Sequence, residues 1–303
     1  LLDPEFVAEL EALRRLLRVR ARSGLPGTAP GRTRGGSAEF EEHRAYAPGD
    51  DVQRIDWLAY ARTGHPVLKE HRADEDTIVR LVVDASASLG FGEPKKIDCA
   101  RRLAAALAHL ALSSSERADL VVVEGSKEVR SGPDVASPAA GATLHRKGPR
   151  RGRTSLGALL RELLSTEPVG AVELSDALRR VLANTSRPGL LAVVSDFLDA
   201  GPFTDVLSRA AYEGHDLALV QVLSAEELRP ELEGDFVLED AETGETLELS
   251  IDAEALEAYR KRLESSFDTL RAVARRWTGT YVRARTDEPL VPVVRRILRR
   301  AID

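Results

Sequence analysis

A three-layer α/β architecture, in which helices cover both faces of a mostly parallel sheet, follows from two features of the sequence. Short runs rich in Val, Ile and Leu recur at 78–83, 120–124, 190–194 and 217–223, each suited to a strand buried on both faces. Helical stretches separate most of them, and strand–helix–strand order is the pattern of a parallel sheet. A third feature places the chemistry. The runs at 78–83 and 190–194 end in acids, Asp84 and Asp196, and the carboxyl ends of parallel strands face the crevice where ligands bind.

In chain order, Asp3-Pro4 opens a predicted helix with Phe6, Leu10, Leu13, Leu16 and Leu17 at helical spacing. Arginines close it and continue into a Gly/Pro-rich linker over 24–36, where a solvated surface accounts for them as well as an anionic partner does. The next stretch predicts a strand at 40–46, a turn at Pro48-Gly49 and a second short strand at 67–71. Its alternating charges, Arg44, Asp50, Asp51, Arg54 and Asp56, with Trp57 behind them, read either as a clamp of structural ion pairs or as a partner surface. We therefore expect a first region over 1–75, comprising helix, linker and small β region, and a main α/β domain over 76–303.

Within the main domain, Pro94-Lys95-Lys96 leads into a long helix through Leu103, Leu107 and Leu110. The basic run Arg146, Lys147, Arg150, Arg151 and Arg153 is expected in a solvated loop. Helices over 154–165, 173–183 and 202–212 follow. Residues 234–250 predict an inserted β-hairpin turning at Thr243-Gly244. A helix over 253–277, a strand at 281–283 and a helix over 290–300 close the chain.

The first acid sits in Asp84-Ala85-Ser86-Ala87-Ser88, a carboxylate followed by hydroxyls at alternate positions. Such oxygens suit a hard cation such as Mg²⁺, and they equally suit turns and helix N-caps. An aspartyl-nucleophile phosphatase would want a second carboxylate at position 86 as general acid, a role serine does not fill at neutral pH. The six histidines are scattered, and no P-loop, nucleophile elbow, dinucleotide fingerprint or zinc-protease spacing is present.

A net charge of −6 gives no global attraction to nucleic acid, and the arginine runs lack interleaved aromatics for stacking on bases. A single cysteine, Cys99, excludes an internal disulfide and a cysteine-built zinc site. No run of about 18 apolar residues predicts a membrane span, so the expected compartment is the cytoplasm.

Asp84-x-Ser86-x-Ser88 matches the signature of von Willebrand factor A domains. Joined to Arg44-x-Tyr46-x-Pro48-Gly49-Asp50-Asp51, Arg54-Ile55-Asp56-Trp57, Ala61-Arg62 and Val193-Val194-Ser195-Asp196-Phe197, it makes nearly the whole chain resemble the bacterial domain-of-unknown-function family 58. The resemblance implies a von Willebrand A-like, Rossmann-like domain whose adhesion-site positions, Asp84, Ser86, Ser88 and Asp196, hold Mg²⁺ or Mn²⁺. It also implies a non-enzymatic protein–protein interaction module working with MoxR-type AAA+ ATPases in assembly or chaperone-like roles. One position departs: Val172 takes the place of the usual Thr ligand, with Glu173 beside it as a substitute. The competing expectation is a metal-free scaffold that uses the Arg44–Trp57 region.

Overall fold

The computed structural model describes residues 1–22, 40–47, 50, 52, 55–71, 77–125, 142–198 and 203–298. The chain divides into two units, one of residues 1–25 with 77–303 and one of residues 26–76.

Helix α1 (Pro4–Arg22) belongs to the larger unit, not to the small β region with which the sequence groups it. The Asp3 carboxylate caps it, accepting from the Phe6 N–H at 2.8 Å. Its stripe of Phe6, Leu10 and Leu13 is buried in the main hydrophobic core. An apolar stripe at this spacing must be covered, and the alanine-rich surface of the long helix after Lys96 allows close approach.

In the smaller unit, β1 (Phe40–Ala45) pairs antiparallel with β2 (Val67–His71), and α2 (Trp57–Thr63) lies between them in sequence. Asp56 caps α2, its carboxylate accepting from the Leu58 and Ala59 N–H groups at 3.0 and 3.1 Å. Gly64 ends the helix at φ +70°, where an L side chain is strained.

The larger unit continues with β3 (Ile78–Ala85), α3 (Lys96–Ser113), β4 (Arg117–Glu124), β5 (Thr143–Arg151), α4 (Leu156–Ser165), α5 (Leu174–Ala183) and β6 (Leu190–Ser195). After these come α6 (Phe203–Tyr212), β7 (Asp216–Leu223), the short α7 (Ala225–Leu228), β8 (Gly234–Glu239), β9 (Thr246–Ile251), α8 (Ala253–Arg276), β10 (Thr280–Arg285) and α9 (Leu290–Leu298). Among the described residues, six strands form one sheet in the order β10-β7-β6-β3-β4-β5, parallel except for β5. Helices α1, α3 and α9 cover one face, while α5, α6 and α8 supply the core of the other. This is the expected three-layer fold, and the expected hairpin forms as β8–β9.

The basic run placed in a loop by its sequence is instead an antiparallel edge strand, β5, with Arg146, Lys147, Arg150 and Arg151 all in register against β4. Its sequence lacks apolar alternation because an edge strand needs little burial, and its cations discourage pairing with another chain. Among the described residues no helix is long and apolar enough to cross a membrane.

Strand order reverses between β3 and β6: the chain leaves β3 toward β4 on one side and returns to β6 on the other. The carboxyl ends of these two strands therefore border a crevice at the switch point.

Candidate functional site

Register sets the site. Val83 pairs with Val194, so Asp84 and Ser195 follow side by side at the ends of β3 and β6. The Ser195 hydroxyl donates to Asp84 Oδ2 at 2.6 Å, and the Ser86 N–H donates to Oδ1 at 2.9 Å. Asp84 is buried, with both oxygens engaged. The Ser86 and Ser88 hydroxyls lie 3.0 Å apart at the crevice, Ser86 buried and Ser88 half-buried. Phe197, beyond Asp196, adopts φ +52°, a left-handed conformation that its N–H to Ser195 Oγ (3.0 Å) and its ring packing on Phe203 hold in place.

Asp196 reaches the same crevice, and a lysine meets it. Lys96, at the start of α3 and fully buried, places Nζ 2.8 Å from Asp196 Oδ2 and 2.5 Å from Glu227 Oε1. Glu227 closes a capping box with Ser224 on α7, and its other oxygen accepts from the Ser224 N–H at 2.8 Å. Behind them the Gln221 amide donates to the Asp196 carbonyl at 2.8 Å and accepts from the Tyr281 hydroxyl at 2.6 Å. The sequence does not single out Lys96, Glu227 or Gln221.

The middle loop before α5 adjoins the site through its backbone. The Ala87 N–H donates to the Gly170 carbonyl at 2.8 Å, and the Val169 N–H donates to that of Ala85 at 2.9 Å. Gly125 is needed here, since a Cβ on it would lie 2.5 Å from Val169 O. Val172 is buried in the apolar cluster of α5 and α6, and Glu173 is exposed and accepts from the Ser175 hydroxyl at 2.9 Å. The valine side chain has no oxygen to offer a cation. Among the described residues no three His, Cys, Asp or Glu groups converge closely enough to hold a metal ion.

A further carboxylate, missed in the sequence, comes from the hairpin. Glu242, in the β8–β9 turn, is half-buried, and burial raises its pKa above the ordinary carboxylate value, with the Asp196 charge adding to the rise and the Ser88 and Ser86 hydroxyls opposing it. In the smaller unit, Asp56 serves as the α2 cap, Asp50 Oδ2 accepts from the Ala47 N–H at 2.9 Å, and Trp57 is 61% exposed. Asp51, Arg54 and the Arg44 side chain lie outside the described residues.

Burial and the neighbouring Asp196 carboxylate push the Asp84 pKa up to about 7, against the hydrogen bonds from Ser195 and Ser86. An unfolded Asp titrates near 3.9, so between about pH 4 and pH 7 the folded state holds the extra proton. Stability from this group is therefore lost as pH rises through that window. His215 contributes the opposite slope, since burial and Arg80 lower its pKa and the unfolded state takes up more protons below about pH 6.5. Urea midpoints of wild type and Asp84→Asn separate the two. Between pH 5 and pH 8 wild type should lose on the order of 2 kcal/mol relative to the variant. Equal slopes would show that Asp84 is ionised in the native state throughout.

The model of the family described as "Protein of unknown function DUF58" matches residues 42–269. The chain is 34% identical over 260 residues to the uncharacterized proteins Rv1480 of Mycobacterium tuberculosis and Mb1516 of Mycobacterium bovis, covering 82% of this chain and 75% of each relative. Among solved structures it is similar to the hypothetical protein BatB of Bacteroides thetaiotaomicron, at 13% identity and a TM-score of 0.45, over 75% of this chain and 100% of that one. An aerotolerance-related membrane protein of Bacteroides fragilis gives 13% identity and a TM-score of 0.44, over 74% and 98%. With the family match spanning most of its length and relatives of this identity alongside, this chain belongs to the DUF58 family.

Proposed function

We propose that the chain is a non-enzymatic protein-interaction module that docks at the crevice between β3 and β6, and that its partner offers an acidic side chain there. The observation that carries this reading is the Ser86–Ser88 hydroxyl pair at the carboxyl end of β3, its oxygens 3.0 Å apart and Ser88 half-buried at the crevice. Exposed apolar side chains accompany the pair: Phe91, three residues after Ser88, is 51% exposed, and Leu198, two residues after Asp196, is 53% exposed. Large apolar groups beside a polar centre suit a protein contact. The acids are poorly placed for chemistry. Asp84 is buried with both oxygens engaged, and Asp196 is tied to Lys96.

The family resemblance adds a von Willebrand A-like adhesion site and a MoxR-type AAA+ ATPase as partner. A Mg²⁺ or Mn²⁺ ion would draw on Asp84, Ser86, Ser88 and Asp196. The donor set does not fit a complete site of that kind. Val172 faces the core, and the Lys96 ammonium already supplies the positive charge on Asp196. A second contact surface is favoured by α2, where Trp57, Leu58 and Tyr60 are all exposed.

The test is binding of a nucleotide-free MoxR-type ATPase to wild type and to Ser86→Ala/Ser88→Ala, in chelator and in Mg²⁺. The double variant should bind at least about tenfold more weakly, a loss of about 1.4 kcal/mol, and chelator should leave wild-type binding unchanged. Unchanged binding by the variant would overturn docking at this crevice, and Mg²⁺-dependent binding would return a cation to it.

A further inference from the structure

The β8–β9 ribbon has two unlike faces. Side chains directly opposite each other in an antiparallel pair share a face, and so do positions two apart along a strand. The register Gly234↔Ile251, Phe236↔Leu249 and Leu238↔Leu247 therefore puts an apolar stripe on one face, while Asp235, Glu239 and Glu248 lie on the other with Val237. The stripe is covered at one end only. Ile251 is buried and Phe236 and Leu249 are half-buried, but the outermost pair is bare, Leu238 at 41% exposure and Leu247 at 64%. Among the described residues both long edges of the ribbon are open as well, because β8 and β9 pair only with each other. A two-stranded ribbon alone is marginal in water, and a third strand that covers an apolar face stabilises it.

The charge around the stripe is of one sign. From Pro230 to Tyr259 the chain holds eleven acids and no lysine, arginine or histidine, against a net charge of −6 for the whole protein. Among the described residues the acids of 231–248 form no ion pair, and the pairs that bracket them are Glu227 with Lys96 and Glu257 with Arg260 and Lys261. Uncompensated acids on an open edge repel a second ribbon of the same kind, so a copy of this chain pairing ribbon to ribbon is a poor occupant. They select one of opposite sign.

We propose that the ribbon is a strand-addition site for a basic segment of a partner protein, an extended stretch in which apolar residues alternate with lysine or arginine. Helix α8 packs beside β9, which leaves the outer edge of β8 for the added strand. There the period of two extends both faces at once: apolar side chains continue the row of Phe236 and Leu238, and cations fall beside Asp235 and Glu239. Main-chain hydrogen bonds to the open edge supply affinity, and the alternation supplies specificity. A segment with its cations in one block would set charge against the leucines. The site shares no residue with the crevice between β3 and β6, so it stands whether or not that crevice docks a partner.

The probe is the end-blocked peptide Lys-Leu-Lys-Val-Lys-Leu added to the full-length protein, with the reordered Lys-Lys-Lys-Leu-Val-Leu and the acidic Glu-Leu-Glu-Val-Glu-Leu as controls. At about 1 mM the alternating basic peptide should shift the amide resonances of 234–251 and slow amide exchange in β8 several-fold, with β3 and β6 unmoved. Leu238→Ser/Leu247→Ser and Asp235→Lys/Glu239→Lys change exposed side chains, so β3 and β6 should keep their wild-type resonances, and each double variant should bind at least about tenfold more weakly. Raising the salt to about 1 M should weaken wild-type binding severalfold, and the acidic peptide should not bind. No response of the ribbon by about 10 mM, equal binding of the reordered peptide, or shifts without slowed exchange in β8 overturns strand addition. Shifts of the same amides with a rise in sedimenting mass as the protein alone is concentrated would make a second copy the occupant and overturn the proposal too.

Discussion

Replacing Lys96 with Met is expected to cost about 3–5 kcal/mol of stability at neutral pH, read as a lowered urea midpoint with little change in slope. Methionine fills a similar volume, so the loss is electrostatic. It strands the Asp196 and Glu227 carboxylates, 2.8 and 2.5 Å from the missing ammonium, in a place where Asp196 is buried. Burial alone would lower the Lys96 pKa, but Asp196 and Glu227 more than offset it and hold it above its ordinary value. The stability linked to the Lys96 proton is thus fully present below about pH 10.4 and is lost as pH rises through the higher folded value. Adding Asp196→Asn should return part of the loss, because the worst of the uncompensated charge is then gone. A Lys96→Met chain within 1 kcal/mol of wild type would mean that Asp196 takes up a proton, or another cation, without help from Lys96. The same substitution should weaken docking, since Lys96 fixes the carboxylate that borders the serine pair.

How much of this arrangement the sequence discloses depends on how each residue earns its position. Strands β3, β6 and β7 are legible because strands buried on both faces must be written as continuous apolar runs. Asp84, Ser86, Ser88 and Asp196 are legible because they interrupt those runs at the strand ends, and the structure brings all four to one crevice. Lys96 is not, since it follows Lys95 and only the three-dimensional fold decides that Lys96 is buried and Lys95 exposed. Glu242 is one acid among several in an inserted hairpin, and only its half-burial in the fold sets it apart from its exposed neighbours. Strand β5 carries no apolar alternation, and its edge position explains why none is required. The stripe of α1 announces that it must pack on something, without saying on what, so the helix is placed with the wrong region until α3 and α9 are seen beside it.

Asp119→Asn is the second large effect, again about 3–5 kcal/mol of lost stability. Asp119 is fully buried on β4 between two guanidinium groups. Arg80 Nε donates to Oδ2 at 3.0 Å, while Arg146 holds the carboxylate in a fork, Nε to Oδ1 at 3.0 Å and Nη2 to Oδ2 at 2.6 Å. Arg80 is buried as well, its other nitrogens lying 3.4 Å from the Arg187 carbonyl and from His215 Nδ1. Burial pulls its pKa down, yet a guanidinium does not give up its proton near neutrality, so removing the Asp119 charge leaves a cation with no counter-ion in the sheet. The variant should also loosen β5, because Arg146 ties that edge strand to Asp119 and, through Nη1, to the Asn184 carbonyl at 2.9 Å. Amide protection over 143–151 should fall before that of β3. Converting the triad to Arg80→Met, Asp119→Leu and Arg146→Met should recover most of the loss, as apolar replacement of buried ion networks often does. Arg80 and Asp84 are four residues apart on β3, roughly 13 Å along the strand, so the crevice lies beyond this network. Asp119→Asn should therefore lower global stability while leaving the Ser86–Gly90 and Asp196–Leu198 amide resonances as in wild type. A shift of those resonances in the variant would mean that the buried ion network and the crevice are coupled along β3.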